Sequence, residues 1–191
     1  TGYILLVIFT GLAGFFYFRT ALNTEEASLR PLLDILPWML AIFVPAATMR
    51  LVAEEQRDGT LELLLTQPIM GWNVLASKFV AGLLFVLTGV AFTIVIPLAV
   101  QTAGDLDEGA IAAQYIGTVF LTASYVSVGL FTSSLTRNQI VAFIGALSII
   151  VALMLAGLPL VTLVLPSGIA VLVQDLSPLV HFAAIGRGVL D

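Results

Sequence analysis

The chain has 191 residues, of which 60% are hydrophobic and 10% are charged, and its formal net charge is −5. Soluble domains carry roughly a quarter charged residues, and a soluble fold of this composition would expose large apolar patches. The composition therefore excludes an ordinary soluble enzyme and a disordered region, and the acidic balance excludes a nucleic-acid binder. The absence of cysteine excludes a disulfide framework and a thiolate metal site. These features indicate an integral membrane protein.

Apolar stretches suited to crossing a bilayer occur five times along the chain. A spanning helix needs about 20 mostly apolar residues. We therefore predict an all-α, polytopic helical bundle with five transmembrane helices at about residues 2–18, 32–52, 79–101, 111–133 and 139–160. The chain begins inside its first apolar run and ends abruptly, so we expect residues 1–191 to form a single transmembrane domain that is truncated at both ends.

Proline residues lie inside two of the predicted spans. Pro37 and Pro45 occur in span two, and Pro97 occurs in span three. Proline removes a helical hydrogen bond and clashes with the preceding turn, so we expect kinks at these positions.

The last apolar run is too long to be one crossing. Residues 138–174 carry no charge, and as one helix they would measure about 55 Å against a hydrocarbon core of about 30 Å. Pro159 and Pro166 interrupt the run. We therefore expect a broken, re-entrant and extracytoplasmic segment over residues 161–191 after span five.

The connection between spans two and three, residues 53–77, concentrates charge. Arg50, Glu54 and Arg57 are separated by four and three residues, so they would form one ionic stripe on a helix that continues out of span two. We expect this helix to end at Asp58-Gly59, where glycine permits the backbone to turn.

A second short helix is predicted to follow the break. It begins near Thr60 and carries Glu62 in its first turn, where a carboxylate suits the helix dipole. Two interpretations fit this pattern: an amphipathic loop that lies on the membrane surface, and a short helix presented to a partner protein.

The residues themselves separate these interpretations. The string EEQRDGTLELLLTQP at residues 54–68 resembles the cytoplasmic signature of ABC-2 type transporter permeases. In that family this element is the coupling helix that docks on the ATPase, so the resemblance places the segment in the cytoplasm. The implied ATPase-coupling residues are Glu54, Glu55, Arg57, Asp58, Gly59, Thr60, Leu61 and Glu62.

Two further stretches carry the same resemblance. The string SSLTRNQ at residues 133–139 is similar to the tight cytoplasmic turn between spans four and five, which adds Arg137 to the coupling residues. His181-Phe182, Arg187-Gly188 and Asp191 resemble the segment before the last span in the gliding-motility-associated branch. The resemblance therefore implies six spans in the full protein.

The resemblance also implies what the chain does and with which partners. It implies a permease subunit of an exporter in the bacterial or archaeal cytoplasmic membrane, paired with a second permease subunit as a homodimer or heterodimer. The chain has no P-loop, so we expect no enzyme, no catalytic residue and no cofactor or metal here. ATP and Mg would be bound by the partner ATPase subunit.

Two other functions stay open from the residues. An ion-coupled secondary transporter would keep ionisable groups deep in the bilayer. Polar groups within spans four and five include Ser124, Tyr125, Ser127 and Ser148. Such groups are typical of hydrogen bonds between helices, although hydroxyls also build sodium sites. An intramembrane hydrolase needs a serine with a base in reach, and the sole histidine, His181, lies beyond the predicted spans.

Overall fold

This computed structural model describes residues 2–24, 30–66, 70–101, 108–158, 161 and 167–186. Every regular element within these residues is a helix. The helices are α1 (Gly2–Thr24), α2 (Arg30–Thr48), α3 (Ala53–Asp58), α4 (Thr60–Leu65), α5 (Gly71–Thr93), α6 (Val95–Gln101), α7 (Glu108–Ser134), α8 (Gln139–Ala156), α9 (Ser167–Asp175) and α10 (Pro178–Gly186).

Five helical stretches in this part of the chain are long and apolar enough to cross a membrane. They are Gly2–Thr20, Asp34–Asp58, Gly71–Val100, Gly109–Ser134 and Gln139–Ala156. The prediction of an all-α bundle with five spans is therefore confirmed. Span two includes α3, and span three begins with the first residue of α5 and includes α6, so the helices extend further than the apolar stretches.

Spans two and four lie at the centre of the bundle. About half of each is buried (50% and 56%), whereas spans one, three and five are 17%, 28% and 22% buried. On α2, Leu36, Leu40 and Val44 are fully buried at spacings of four residues, which places them on one helix face. On α7, the side chain of Tyr125 is equally inaccessible. The remaining spans pack around this central pair.

The two central helices approach each other closely at Gly129. A Cβ atom on residue 129 would lie 2.9 Å from Cβ of Thr48 and still closer to the Thr48 hydroxyl. The hydroxyl of Thr48 donates to the carbonyl of Val44 in its own helix at 2.8 Å. Because small residues allow helix backbones to meet inside a membrane, Gly129 brings α2 and α7 into direct contact.

The prolines have different effects on the two spans that contain them. Span three is irregular at Ile94, between α5 and α6, three residues before Pro97. The missing N–H of Pro97 and its clash with the preceding turn explain this break. The α2 helix runs through Pro37 and Pro45 and ends at Thr48.

The described part of the predicted broken segment is a bent pair of helices. Residues 168–175 and 178–185 meet at an angle of 71°. Ser177 at the bend is fully buried, and a Cβ on Gly157 at the end of α8 would lie 2.8 Å from Cβ of Ser177. The bend therefore packs against the end of span five. Residues 159–160, 162–166 and 187–191 lie outside the described residues.

We expect Gly129→Ala to destabilise the bundle, because the added methyl group meets Thr48. Overpacking of this kind costs about 1–3 kcal/mol. The matched control is Gly11→Ala, since a Cβ at Gly11 has no atom within 4 Å. The midpoint of thermal unfolding of the full-length protein in detergent, followed by tryptophan fluorescence, should fall for Gly129→Ala only. Equal midpoints for the two variants would contradict the close contact.

Candidate functional site

The α3–α4 segment, residues 53–66, is the charged element between spans two and three. Glu54 and Glu55 lie in the first turn of α3, and Arg57 lies in its last turn. Acidic residues at the start of a helix and basic residues at its end interact favourably with the helix dipole. The helix ends at Gly59, whose φ of 72° lies in the left-handed region that glycine adopts without steric cost. The break falls where Asp58-Gly59 predicted it.

The α2–α3 joint, residues 49–52, is held by a hydroxyl from the end of α7. The Oγ atom of Ser133 accepts hydrogen bonds from the backbone N–H groups of Val52 and Ala53 at 3.2 and 3.1 Å. The same hydroxyl contacts the carbonyl oxygen of Met49 at 3.1 Å, where it is the donor. The first N–H groups of a helix have no partner within it. Ser133 therefore caps α3 from a residue about 80 positions away in sequence.

A second contact ties α3 to the same helix end. The Nε2 atom of Gln56 donates to the backbone carbonyl of Ser134 at 2.8 Å. The last carbonyls of a helix also lack partners within it, so this bond satisfies one of them. Serine and glutamine together join α3 to the last turn of α7.

Lys78 ties the joint to α5. Its Nζ atom donates to the carbonyl of Leu51 at 2.6 Å and forms an ion pair with Oε1 of Glu55 at 2.6 Å. The side chains of Lys78 and Glu55 are 14% and 30% exposed, so the pair is partly shielded from solvent. Within the described part of the chain, the other oxygen of Glu55 is buried without a hydrogen-bond partner. The carboxylate therefore relies on Lys78.

The predicted coupling residues divide into an anchored and an exposed group. Glu55 faces the bundle and pairs with Lys78, whereas Glu54, Arg57 and Asp58 are exposed. Gly59 and Thr60 are also exposed, Leu61 is half-buried, and Glu62 lies on α4. The hydroxyl of Thr60 donates to the carbonyl of Glu55 at 3.4 Å.

The predicted stripe differs from the observed arrangement. Arg50, Glu54 and Arg57 are all exposed, but the helix is interrupted at residues 49–52, so they do not share one regular helix. The ion pair that the structure gives is Glu55–Lys78. Their positions, 23 residues apart, lie beyond any helical spacing rule, so the sequence pattern alone could not identify the pair.

Arg137 lies in the turn between α7 and α8, at the same end of the bundle as α3. It is exposed, and the turn is shaped by its neighbours. The backbone N–H of Asn138 donates to Oγ1 of Thr136 at 3.1 Å, and Oδ1 of Asn138 accepts from the N–H of Ile140 at 2.9 Å. Asn138 is therefore the N-cap of α8. The α3 helix contacts α8, which brings this turn beside the α3–α4 segment.

One face of α7 borders two cavities. Ser127 and Phe131 line a cavity of about 460 Å³ shared with α5, and Ser124 lines one of about 190 Å³ shared with α10. The serine hydroxyls donate to carbonyls of their own helix, at 3.1 Å for Ser124 and 2.9 Å for Ser127. Each hydroxyl is thus satisfied while remaining exposed on this face.

The architecture defines a class: a multi-pass helical membrane protein with a short charged helical segment between spans two and three. A family profile described as "ABC-2 family transporter protein" matches residues 4–187, nearly the whole chain. The chain therefore belongs to the ABC-2 transporter family, the non-catalytic membrane permease subunits of ABC transporters.

Curated relatives agree with this family. The chain is 31% identical over 112 residues to the "Probable multidrug ABC transporter permease YbhR" of Escherichia coli strain K12, and to the protein of the same name in Escherichia coli O157:H7. The match covers 59% of this chain and 30% of each relative, so the matched region spans less than a third of their length. No solved structure matches.

We expect Lys78→Met to destabilise the protein more than Glu55→Gln. The lysine change leaves both the Leu51 carbonyl and the Glu55 carboxylate without their donor, whereas the glutamate change leaves the bond to Leu51. Hydrogen bonds to charged groups are worth about 1.5–3 kcal/mol. The unfolding midpoint in detergent measures both effects, and Glu54→Gln, an exposed neighbour with the same chemical change, is the control.

The double variant provides the stricter comparison. Because Lys78 and Glu55 share one interaction, its loss of stability should be smaller than the sum of the two single losses. Simple additivity, or an equal loss in Glu54→Gln, would contradict the role of the ion pair.

Proposed function

We propose that this chain forms part of the translocation pathway of an ABC-2 exporter and that ATP hydrolysis on a separate nucleotide-binding subunit powers it. Family membership supports this proposal, as does the lack of a P-loop in the 191 residues. The observation that carries it is the α3–α4 segment, which is anchored to α5 and α7 on one side and exposes charged residues on the other.

The α3–α4 segment is the proposed docking site for the ATPase. Its exposed residues on α3 are Glu54, Arg57 and Asp58. A helix lying on the membrane surface would also expose charged residues, but it would bury an apolar face in the lipid. The bundle holds the opposite side of α3 through Gln56 and Glu55. A charged outer face on a fixed base favours a protein partner over a lipid surface.

The second contact for the ATPase is proposed at the turn that holds Arg137. This turn and the α3–α4 segment lie at the same end of the bundle, since α3 contacts α8. We place this end in the cytoplasm, and the bent pair of α9 and α10 on the extracytoplasmic side, because α8 crosses between them. The coupling role assigned to residues 54–62 depends on this orientation.

The remaining parts of the proposal concern partners. A second permease subunit would complete the pathway, as a homodimer or heterodimer, and the partner ATPase would hold ATP and Mg. The exposed serines on α7 and the cavities beside them support a pathway wall on this helix. Similarity around His181-Phe182 favours the gliding-motility-associated branch.

An ion-coupled secondary transporter is the alternative. The hydroxyls of Thr10, Thr122 and Tyr125 are buried without a hydrogen-bond partner among the described residues, and hydroxyls are ligands that a cation site uses. Transport that persists without any ATPase and stops when an ionophore dissipates the ion gradient would favour this alternative over the ATP-driven one.

We expect Glu62→Lys to weaken assembly with the ATPase by at least about tenfold, because reversing a charge at an interface places like charges together. Gly59→Val should weaken it as well, since a β-branched side chain is strained at a φ of 72°. Co-purification of the full-length permease with its ATPase and ATP turnover in membranes measure both effects. Gly59→Asn is the control, because asparagine tolerates the left-handed region.

Assembly and coupled transport that are unchanged in Glu62→Lys and Gly59→Val would contradict the docking role. Loss of assembly in Gly59→Asn equal to that in Gly59→Val would indicate that the backbone conformation is not the cause.

Labelling should place the two ends of the bundle on opposite sides of the membrane. The 191 residues contain no cysteine, so single Arg57→Cys and Gln174→Cys variants can be made, with any cysteine elsewhere in the protein replaced. Both side chains are exposed. A membrane-impermeant maleimide should label Gln174→Cys in intact cells and Arg57→Cys in inverted vesicles. Labelling of Arg57→Cys from outside the cell would show that the topology is the reverse of the one proposed, and it would contradict the docking proposal.

A further inference from the structure

We propose that Ser133 is a positioning residue for energy coupling: its hydroxyl fastens the α2–α3 joint to α7, so that displacement of the α3–α4 segment moves spans two and four as one unit. This inference rests on the proposed docking of the ATPase at that segment. It identifies α7, a helix far away in sequence, as the element that receives the displacement.

The first support is the number of bonds that meet at one short side chain. The Ser133 hydroxyl accepts from the N–H groups of Val52 and Ala53 and donates to the carbonyl of Met49. Ser133 is fully buried, so water cannot replace these bonds. The N–H groups lie at the start of α3, where the helix supplies no acceptor. Separating α3 from α7 would therefore leave several buried polar groups unsatisfied, which is costly.

The second support is the close packing of α2 against α7 one helical turn away from Ser133. Gly129 lies four residues before Ser133 on α7, and its backbone is in direct contact with Thr48 at the end of α2. Close-packed helices transmit displacement because they cannot be compressed. The joint is thus held by hydrogen bonds at Ser133 and by backbone contact at Gly129, and α2 and α7 cannot slide apart at this end.

The tie to span three differs in kind. Lys78 reaches the joint with a long side chain of several rotatable bonds, whereas a single rotatable bond sets the position of the serine Oγ atom. A long side chain can keep its contact while the helices shift. We therefore assign to Ser133 on α7 the transmission of the displacement of the α3–α4 segment. Lys78 on α5 only restrains the position of this segment.

The test compares Ser133→Ala with Ser134→Ala in the full-length permease assembled with its ATPase. Ser134 is a matched control, because its hydroxyl donates to Phe131 in its own helix at 2.7 Å while its carbonyl still accepts from Gln56. The readouts are co-purification, ATP turnover, and substrate transported per ATP hydrolysed in proteoliposomes. We expect Ser133→Ala to keep assembly and ATP turnover and to reduce transport per ATP about tenfold, the order expected for losing a buried hydrogen-bonded tie.

A distance measurement separates coupling from a merely structural role. Spin labels at the exposed positions Thr66, which is outside the proposed coupling residues, and Leu135 report on the α3–α4 segment and on the end of α7. In the otherwise unchanged protein the distance between the labels should be the same with and without trapped nucleotide. In Ser133→Ala it should change with nucleotide, because α3 then moves without α7.

The outcomes distinguish this inference from the docking proposal. Normal transport per ATP in an assembled Ser133→Ala complex overturns the role of Ser133 and leaves docking intact. Failure of the unmodified permease to bind an ATPase overturns docking. If Ser133→Ala does not fold, Gln56→Ala tests the same tie through a half-buried side chain, with an expected loss of about threefold. An unchanged ratio in that variant also overturns the inference.

Discussion

The direct contact of α2 with α7 is the constraint on which the rest of the bundle depends. Inside a membrane, lipid tails are as apolar as the side chains, so helices associate through close packing and interhelical hydrogen bonds. Gly129 permits that packing by leaving room for Thr48, and the two helices become the most buried spans. The other spans pack around this pair, which explains why a smaller share of each is buried within the chain.

The same contact determines where the charged segment lies. Because α2 and α7 end side by side, the last residues of α7 face the first free N–H groups of α3. Backbone groups near a membrane need internal partners. The Ser133 hydroxyl accepts from the N–H groups at the start of α3, and the Gln56 side chain donates to the carbonyl of Ser134 at the end of α7. The segment thus has a base of satisfied, buried polar groups and an outer face of charged residues. This arrangement agrees with the proposal that the segment contacts a separate ATPase.

Most of the elements could be predicted from the sequence, because bilayer thickness fixes helix length and proline and glycine mark breaks. Five spans, the irregularity before Pro97 and the turn at Gly59 follow these local rules. The prediction that Arg50, Glu54 and Arg57 form one ionic stripe was wrong, because it assumed an uninterrupted helix and the helix is interrupted at residues 49–52. The pairing of Lys78 with Glu55 could not be predicted, because no helical spacing relates the two residues.

The sequence by itself determined the class of protein, the all-α fold, five apolar stretches that can cross a membrane, and the helix break at Gly59. These properties depend on composition and on interactions within a few residues. The tertiary structure alone decided which helices form the centre, and that a serine from α7 caps α3. Such contacts join residues some 80 positions apart, and they arise only when the helices have packed, because the partner of a free N–H group is chosen by proximity in space.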